Sequence, residues 1–358
     1  MRRALQTAFA TAVLAGAAAL VAAPAGAGQD NRIVGGQVAS PGEYPGLVSL
    51  SASVRGEEDP GFTHQCGGTL IGPTTVLTAS HCVAGTTPDE WDVIVGREDL
   101  SDTSTGERIP VLHYTTHPGS ADVAILELAR PASAEPTPLA TSEDEALFGP
   151  GTTATAAGWG MKSETQGPSD DIREVDVPIV SDSSCLRAYR DFGGMHMQEM
   201  ICAGEKGKDT CAGDSGGPLY VHDAEGNLLQ VGITSFGQGC GREGFPGVYT
   251  EIPAVLDFIT DPDPVWAPIP ESGRAKIRGT AKVGGRLRCD EGEWSGEDVE
   301  FRYTWTAGYN PRPISHERSI KPGSKLAGKK LSCSVVGMNR GGFVDLASGT
   351  VRVHGDGN

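Results

Sequence analysis

Residues 213–218 read Gly213-Asp214-Ser215-Gly216-Gly217-Pro218, a serine set among glycines directly after an acid. Two upstream stretches complement it: Thr78-Ala79-Ser80-His81-Cys82, and Ala121-Asp122-Val123-Ala124-Ile125-Leu126, an apolar run behind a single acid. A serine hydroxyl is a weak nucleophile until a base takes its proton, and an imidazole base needs an acid to orient it. The order histidine, aspartate, serine therefore predicts a general base, its orienting acid and a nucleophile.

These motifs resemble those of the trypsin-like serine proteases, which have the chymotrypsin fold, and the resemblance runs from Ile33 to about Ile259. It implies two antiparallel β-barrels and a short C-terminal helix. It also implies acyl transfer through His81, Asp122 and Ser215, with the backbone N–H groups of Gly213 and Ser215 as the oxyanion hole. One position departs from the family. Alanine usually precedes the histidine, whereas this chain has Ser80, whose hydroxyl can add a hydrogen bond near the imidazole.

The residues between the motifs support an all-β fold. Short runs rich in Val, Ile, Leu and Thr alternate with Gly, Pro and Asp turns, and the 50 glycines and 24 prolines suit a turn-rich β protein. The predicted strands are Leu47–Ser51, Gly68–Ile71, Thr75–Thr78, Trp91–Val95, Asp122–Leu128, Thr152–Gly158, Val175–Val180, Pro218–Val221, Leu228–Thr234 and Gly247–Glu251. A short helix is predicted over Pro253–Ile259 from its apolar spacing.

The resemblance further implies cleavage after Arg or Lys. Asp209, six residues before Ser215, matches the floor of the family's primary specificity pocket, where a carboxylate selects a cationic side chain. Ser235, Gly237 and Gly247 match residues that line that pocket. The expected partners are proteins or peptides with Arg or Lys at the cleavage site, together with proteinaceous inhibitors.

The N-terminus predicts secretion. Arg2 and Arg3 precede an apolar segment at 12–23, and Ala25-Gly26-Ala27 is typical of a signal-peptidase site. Residues 1–27 are therefore interpreted as a signal peptide rather than a membrane anchor, and the protein is expected to be extracellular. No later run of eighteen apolar residues follows, so no membrane span is predicted.

Residues 28–32 are interpreted as an activation propeptide. The junction Arg32-Ile33-Val34-Gly35-Gly36 resembles the family's activation site. Cleavage after Arg32 would free the ammonium group of Ile33, which in the family pairs with the buried acid before the nucleophile, here Asp214. Arg32 itself suits the specificity pocket, so activation by this enzyme and activation by another protease are both open.

The protease-like domain is predicted over 33–261, followed by a Pro-rich linker at 262–270 and a second β module at 271–354. The order Cys289, Trp294, Trp305, Cys333 resembles an immunoglobulin-like β-sandwich, and is closer to the Gly-rich β repeats of secreted actinobacterial enzymes. The module's aromatic residues indicate either a core, which we favour, or a sugar-binding face. They are Trp294, Tyr303, Trp305 and Tyr309.

Charge is unevenly placed along the chain, which has a net charge of −17. Residues 33–270 contain 11 Lys and Arg against 35 Asp and Glu, a net −24, and residues 271–358 contain 15 against 10, a net +5. Two interpretations are open: simple solubility, or docking of the basic module on the acidic domain or an external acidic surface. The basic residues form no long run, which argues against nucleic-acid binding.

Eight cysteines in a secreted protein predict four disulfides. The resemblance implies Cys66–Cys82, Cys185–Cys202 and Cys211–Cys240, which leaves Cys289 with Cys333, although other pairings are open. No Cys-x-x-Cys or His-Glu-x-x-His motif predicts zinc. Arg97 stands about where the family's calcium loop has a ligand acid, so neither a metal nor another cofactor is predicted.

Two other classes of function are open. In one, the chain is a catalytically silent protease-fold binding protein. Such proteins usually lack a catalytic residue, whereas this chain keeps all three, together with Gly213 and Asp214. In the other, the C-terminal module carries the main function by attaching to a surface or a polysaccharide.

Overall fold

The computed structural model describes residues 34–52, 64–193 and 195–355. The predicted signal peptide and the predicted activation residues Arg32 and Ile33 lie outside these ranges. Within the described ranges, helices are few and short, and none is long and apolar enough to cross a membrane. A two-residue strand, β1 (Gln37–Val38), comes first along the chain.

Six strands form the first barrel. They are β2 (Leu47–Ala52), β3 (His64–Gly72), β4 (Thr75–Thr78), β5 (Trp91–Val95), β6 (Glu107–Thr116) and β7 (Ala124–Leu128). They pair antiparallel in the closed order β2-β3-β4-β7-β6-β5. Closure leaves the sheet without free edges. Fully buried side chains such as Val48, Leu77 and Leu126 fill the interior.

A second ring of six antiparallel strands follows. Its strands are β8 (Thr153–Gly158), β11 (Arg173–Val180), β12 (Met200–Ala203), β13 (Pro218–His222), β14 (Leu228–Phe236) and β15 (Gly247–Glu251). They pair in the order β8-β11-β12-β15-β14-β13, and β13 returns to β8. A small hairpin, β9 (Met161–Ser163) and β10 (Gln166–Pro168), lies between β8 and β11 in the chain, and β1 pairs with β11.

Among the described residues, three short helices and four 3₁₀ turns accompany the strands. The helices are α1 (Ser80–Val83), α2 (Asp182–Ala188) and α3 (Leu256–Ile259), and the turns are Pro88–Glu90, Ser142–Leu147, Pro253–Val255 and Ser324–Leu326. The predicted helix over Pro253–Ile259 is a 3₁₀ turn that continues into α3. The predicted all-β fold of two antiparallel barrels with a short C-terminal helix is confirmed.

Each barrel contains one strand that the sequence pattern did not predict. In β6, alternate residues are buried at Ile109 and Val111, but Pro110 interrupts the run, and a proline within a run argues against a central strand. Pro110 pairs with Asp92 of β5 and precedes Val111, the first β6 residue that pairs with β7. In β12, four residues are too few to show a period of two. Both strands are recognisable only from their partners across the barrels.

Ten short strands form the region after the second barrel. They are β16 (Ile269–Pro270), β17 (Lys276–Gly279), β18 (Leu287–Asp290), β19 (Trp294–Ser295), β20 (Glu300–Ala307), β21 (Asn310–Ser315), β22 (Ser319–Ile320), β23 (Lys330–Asn339), β24 (Gly342–Ala347) and β25 (Val351–Arg352). The largest sheet has the order β21-β20-β23-β24, with β25 on β23, and β17-β18-β22 form a second sheet. Their common core surrounds the Cys289–Cys333 disulfide. The immunoglobulin-like classification stays a prediction.

The aromatic residues of this region do not all lie in the core. Trp305 is fully buried, and its indole N–H donates to the carbonyl of Glu317 at 2.9 Å. Trp294 and Tyr303 are partly buried against the same core. Tyr309 is fully exposed, contrary to the favoured prediction, because it lies in the two-residue turn between Ala307 of β20 and its partner Asn310 of β21.

All eight cysteines are in disulfides. The bonds are Cys66–Cys82, Cys185–Cys202, Cys211–Cys240 and Cys289–Cys333. The first three are the pairs that the family resemblance implies, and the fourth joins the two cysteines that remain. The first bond ties β3 of the first barrel to helix α1, which carries His81, and the third joins two walls of the cavity described below.

Candidate active site

His81 and Asp122 meet where two neighbouring strands of the first barrel end. Thr78, the last residue of β4, pairs with Ala124, the first residue of β7. His81 follows Thr78 by three residues and Asp122 precedes Ala124 by two, so the antiparallel pairing brings the two side chains together. Nδ1 of His81 is 2.7 Å from Oδ2 of Asp122, and the His81 backbone N–H donates to Oδ1 at 3.0 Å.

Two serines complete the surroundings of the Asp122 carboxylate. The Ser80 hydroxyl donates to Oδ1 at 2.7 Å, and the Ser235 hydroxyl, from β14 of the second barrel, donates to Oδ2 at 2.5 Å. Burial by itself would raise the pKa of Asp122, but the hydrogen bonds from His81 and Ser235 outweigh it and hold the pKa well below its usual range. The carboxylate is therefore ionised at neutral pH.

The ionised carboxylate in turn changes the basicity of His81. The hydrogen bond to Asp122 raises the pKa of His81 against the opposing effect of burial. Because Nδ1 is occupied by Asp122, the other ring nitrogen, Nε2, is the one that can accept a proton from a nucleophile. This is the tautomer that general-base chemistry needs.

Ser215 and the His81 imidazole both lie beside Sγ of Cys82. Sγ of Cys82 is 3.9 Å from Nε2 of His81 and 3.8 Å from the carbonyl oxygen of Ser215, which also accepts a 2.8 Å hydrogen bond from the Gly67 N–H. The Ser215 hydroxyl makes no hydrogen bond to any residue that the structure describes. In sites of this kind the bond from nucleophile to base commonly forms only when substrate binds.

The backbone on either side of Asp214 suits an anion. Gly213 has a φ of 97°, a conformation that favours glycine, and a Cβ there would be 3.1 Å from Cα of Gly160. Within the described residues the N–H groups of Gly213 and Ser215 have no acceptor, whereas the intervening N–H of Asp214 donates to Cys211. Two neighbouring free donors beside a nucleophile are what an oxyanion requires.

A cavity of about 310 Å³ opens beside Ser215 and has Asp209 in its wall. Ser235, Gly237 and Gly247 also line it, so the structure brings together the four predicted pocket residues and the predicted nucleophile. A Cβ on Gly247 would be 2.7 Å from Oδ1 of Asp209, and only glycine leaves that carboxylate accessible.

Asp209 is a buried acid without a cation beside it among the described residues. Burial raises its pKa to about 7, although the N–H groups of Gly241 and Thr210 donate to its oxygens at 2.8 and 2.9 Å. A positive side chain in the cavity would restore the missing stabilisation of the ionised form. The arrangement therefore favours a cationic ligand.

Comparison with known proteins agrees with this geometry. The family model described as Trypsin matches residues 33–259. The chain belongs to the trypsin family. A trypsin of Saccharopolyspora erythraea is 37% identical over 237 residues, which cover 64% of this chain and 97% of the relative. Trypsin 5G1 of Aedes aegypti is 37% identical over 240 residues (64% of this chain, 84% of the relative), and a tryptase of Mus musculus is 36% identical over 256 residues (66% and 91%).

The family match makes this chain a trypsin-like serine peptidase, a hydrolase. The match ends at residue 259, at the last residue of α3. Residues 260–268 and the strands from β16 to β25 therefore lie outside the trypsin-family region.

One histidine near the trypsin-family site was not anticipated. His64 is buried, with Nδ1 at 2.7 Å from the Ser49 hydroxyl and Nε2 at 2.8 Å from the Gly213 carbonyl. Burial lowers the pKa of His64 to about 4, so the ring is neutral. Its Nε2–H donates a hydrogen bond to the Gly213 carbonyl. A histidine two residues before a cysteine has no sequence signal that would mark this role.

Asp214 is fully enclosed beneath the nucleophile. Its oxygens accept hydrogen bonds from the Gly160 and Cys211 N–H groups at 2.8 and 2.9 Å, and burial raises its pKa to about 6. A Cβ on Gly160 would collide with the carboxylate. The predicted partner, the Ile33 ammonium group, lies outside the described residues.

Two features that resemble metal sites are explained by protein groups. Cys66, Cys82 and His81 come within 4.8 Å of one another, but the two sulfurs are bonded to each other and so cannot be thiolate ligands. In the loop that resembles a calcium site, Arg97 is 5% exposed and its Nε donates to the Thr105 carbonyl at 2.9 Å. Its guanidinium also lowers the pKa of Asp102, after the larger effect of the Ser104 hydrogen bonds.

A larger cavity of about 590 Å³ lies near Arg187, Phe245 and Pro246, but none of the residues assigned above to the active site lines it. The chemistry of its lining therefore makes the smaller cavity the candidate active site. The predicted nucleophile Ser215 and the buried carboxylate of Asp209 both line the smaller cavity, and neither lines the larger one.

Proposed function

We propose that this protein is a secreted serine endopeptidase that hydrolyses peptide bonds after Arg or Lys. Ser215 is the nucleophile, His81 the general base and Asp122 the residue that orients the base. The observation that carries the proposal is the buried carboxylate of Asp209 in the same cavity as Ser215. The names of the relatives, trypsin and tryptase, support the same specificity.

The geometry supports a two-stage acyl transfer. Nε2 of His81 takes the proton of the Ser215 hydroxyl as Oγ bonds to the carbonyl carbon of the substrate, and the carbonyl electrons move to its oxygen. The N–H groups of Gly213 and Ser215 then stabilise that oxyanion. His81 returns the proton to the leaving amine as the C–N bond breaks, and water repeats the sequence to release the acid.

Asp209 supplies the selectivity in this proposal. A substrate guanidinium or ammonium group gives the buried carboxylate the cation that it lacks, and an uncharged side chain leaves it unpaired. Gly237 and Gly247 keep the cavity open to a long side chain, and the Cys211–Cys240 disulfide joins two of its walls.

Secretion and activation belong to the same proposal. The signal-like residues 1–27 and the four disulfides support export to an oxidising compartment. The chemistry of Asp214 supports activation by cleavage after Arg32. Its carboxylate is buried and, within the described residues, accepts only backbone N–H bonds, so it suits the new ammonium group of Ile33.

We also propose that residues 33–261 form the protease domain, 262–270 the linker and 271–354 an immunoglobulin-like β module of the actinobacterial secreted type. The core around Cys289 and Cys333 supports a separate module. The net charge of +5 over residues 271–358 supports attachment to an acidic surface or polysaccharide. Proteinaceous inhibitors are expected to bind the protease domain as substrates do.

The test uses protein processed to begin at Ile33 and matched peptide amides that end in Arg, Lys, Phe or Ala. We expect cleavage only after Arg and Lys. Ser215→Ala should lower kcat by about 10⁶-fold while the circular dichroism spectrum is unchanged. Asp209→Ser should remove the Arg and Lys preference, and Asp191→Ser, at a highly exposed acid, is the matched control.

Two results would contradict the proposal. Normal folding with no cleavage of any peptide would favour a catalytically silent binding protein. Cleavage that survives Ser215→Ala would show that another nucleophile acts.

A further inference from the structure

The hairpin between β23 and β24 lies against the first barrel. Asn339 pairs with Gly342, so Arg340 and Gly341 form a two-residue turn. The Thr116 N–H, at the end of β6, donates to the Gly341 carbonyl at 2.8 Å. Within the same strand, the Tyr114 hydroxyl donates to the Phe343 carbonyl at 2.9 Å. The C-terminal region is thereby hydrogen-bonded to the strand that precedes Asp122.

Further contacts hold the turn in one position. The Asn339 side-chain amide donates to the Trp266 carbonyl at 2.9 Å, and its oxygen accepts from the Gly341 N–H at 2.9 Å. A Cβ on Gly341 would collide with the Val265 carbonyl, so glycine is required where the turn meets the linker. The Phe343 carbonyl, which accepts from the Tyr114 hydroxyl, also accepts from the Gly85 N–H at 2.9 Å. The turn is therefore pre-organised rather than loosely attached.

A cavity of about 400 Å³ separates this hairpin from the segment that carries Asp122. The barrel contributes residues that include Ser80, Ser120 and Asp122, and the hairpin contributes residues that include Met338, Arg340 and Phe343. The residue that orients the general base and the turn of the C-terminal region thus share one cavity. Substrate that lies over His81 has this cavity beside it.

The two nitrogens of His81 show which half of the substrate faces the cavity. Nε2, which protonates the leaving amine, lies 3.9 Å from Sγ of Cys82, so the C-terminal half of the substrate departs past the disulfide. Nδ1 faces Asp122, which lines the cavity. We therefore expect the cavity to lie on the side of the residues that precede the cleaved bond.

The charged residues that line the cavity indicate which kind of side chain it would bind. Arg340 is exposed and is the one Arg or Lys among the described lining residues, and no ion pair engages it within the described chain. The carboxylate of Asp122, which also lines the cavity, is held by hydrogen bonds from Ser80, His81 and Ser235. A free guanidinium beside a bound substrate attracts carboxylates.

We propose that Arg340 forms a substrate subsite for an acidic side chain within the three residues that precede the Arg or Lys at the cleavage site. The C-terminal region would then contribute directly to specificity rather than serve only as an attachment module. This inference rests on the proposed function, because it presumes cleavage at Ser215.

The test compares peptide amides that end in Arg and carry either Glu or Gln at each of the three preceding positions. The full chain processed at Ile33 should cleave the Glu peptide about threefold faster in kcat/KM at one of these positions, the size of a partly exposed ion pair. The Glu-to-Gln ratio of kcat/KM should approach one in Arg340→Gln and at high salt, and Arg340→Glu should bring it below one. Arg302→Gln, at an exposed arginine on β20 of the same region, is the matched control and should keep the wild-type ratio.

The outcomes separate this inference from the proposed function. A blocked single-residue arginine amide does not reach the hairpin. If the wild type fails to cleave even that amide, the proposed function fails. If it cleaves the amide but shows no Glu preference, or if the preference survives Arg340→Gln, only the subsite is overturned.

Discussion

The Ser80 hydroxyl donates a 2.7 Å hydrogen bond to Oδ1 of Asp122, the carboxylate that also holds His81. The backbone N–H and Nδ1 of His81 and the hydroxyl of Ser235 also contact this carboxylate, so four donors surround it among the described residues. The Ser80 bond stabilises the ionised form and disperses its charge. It therefore weakens the hold of the carboxylate on a protonated His81.

Ser80→Ala should raise the pKa of His81. Because catalysis needs neutral His81, the acidic limb of the kcat/KM profile should move to higher pH. Loss of one supporting hydrogen bond should also lower kcat/KM at the optimum by about three- to tenfold. Ser104→Ala, which removes an exposed hydroxyl bonded to Asp102, is the control and should leave the profile in place. An acidic limb at the wild-type position in Ser80→Ala would show that the hydroxyl does not affect the base.

Binding of a cation beside Asp209 should release protons near pH 7. The pKa of Asp209 is about 7 because of burial, so roughly half of the free sites are protonated at that pH. An arginine side chain favours the ionised form and lowers that pKa. Calorimetry with the Ser215→Ala variant and an arginine amide, in buffers of different ionisation enthalpy, should detect about half a proton released at pH 7 and almost none about two pH units higher.

Asp209→Asn in the same background is the matched control. It should bind the arginine amide more weakly and release no protons from this site. Proton release equal in both proteins would assign the linkage to another group.

The processed enzyme should lose activity at alkaline pH. A free amino terminus has a pKa of about 8, and pairing with Asp214 should raise it, so the ion pair is present below that raised pKa and is lost as pH increases through it. Rates measured on the protein that begins at Ile33 should therefore fall reversibly above about pH 8. Asp214→Asn should lose about 3–5 kcal/mol of the free energy that holds the active arrangement.

An uncleavable precursor tests the same activation step. Arg32→Gln should block processing and leave little activity. Full activity in that precursor would refute activation at this junction.

Chelators should not affect this protein. Arg97 is buried in the loop that resembles a calcium site and donates to the Thr105 carbonyl, so a guanidinium already supplies positive charge there. Neither EDTA nor added calcium should change Tm or kcat. Arg97→Ala should lower the free energy of unfolding by about 2 kcal/mol, the worth of a hydrogen bond to a charged group. A fall in Tm on chelation of the wild type would reveal a metal that Arg97 does not replace.

Most strands of the two barrels could be predicted from local sequence patterns. Ten predicted strands appear within a few residues of their expected bounds, because alternating apolar runs between Gly, Pro and Asp turns report burial directly. The strands β6 and β12 could not be predicted in this way, because a proline interrupts β6 and β12 has only four residues. Tyr309 was assigned to the core because strand spacing does not show where a turn begins.

The residues of the candidate site could be named from the sequence because each part has a local motif, and order along the chain distinguishes them. The arrangement of those parts depended on contacts between distant residues. Ser235 reaches Asp122 across 113 positions, and Phe343 reaches Tyr114 across 229. The separation of two residues along the sequence does not give their distance in space once the chain has closed into barrels. Consequently the donors around Asp122, the buried state of Asp209 and the position of Arg340 beside the active site follow only from how the barrels and the C-terminal hairpin pack together.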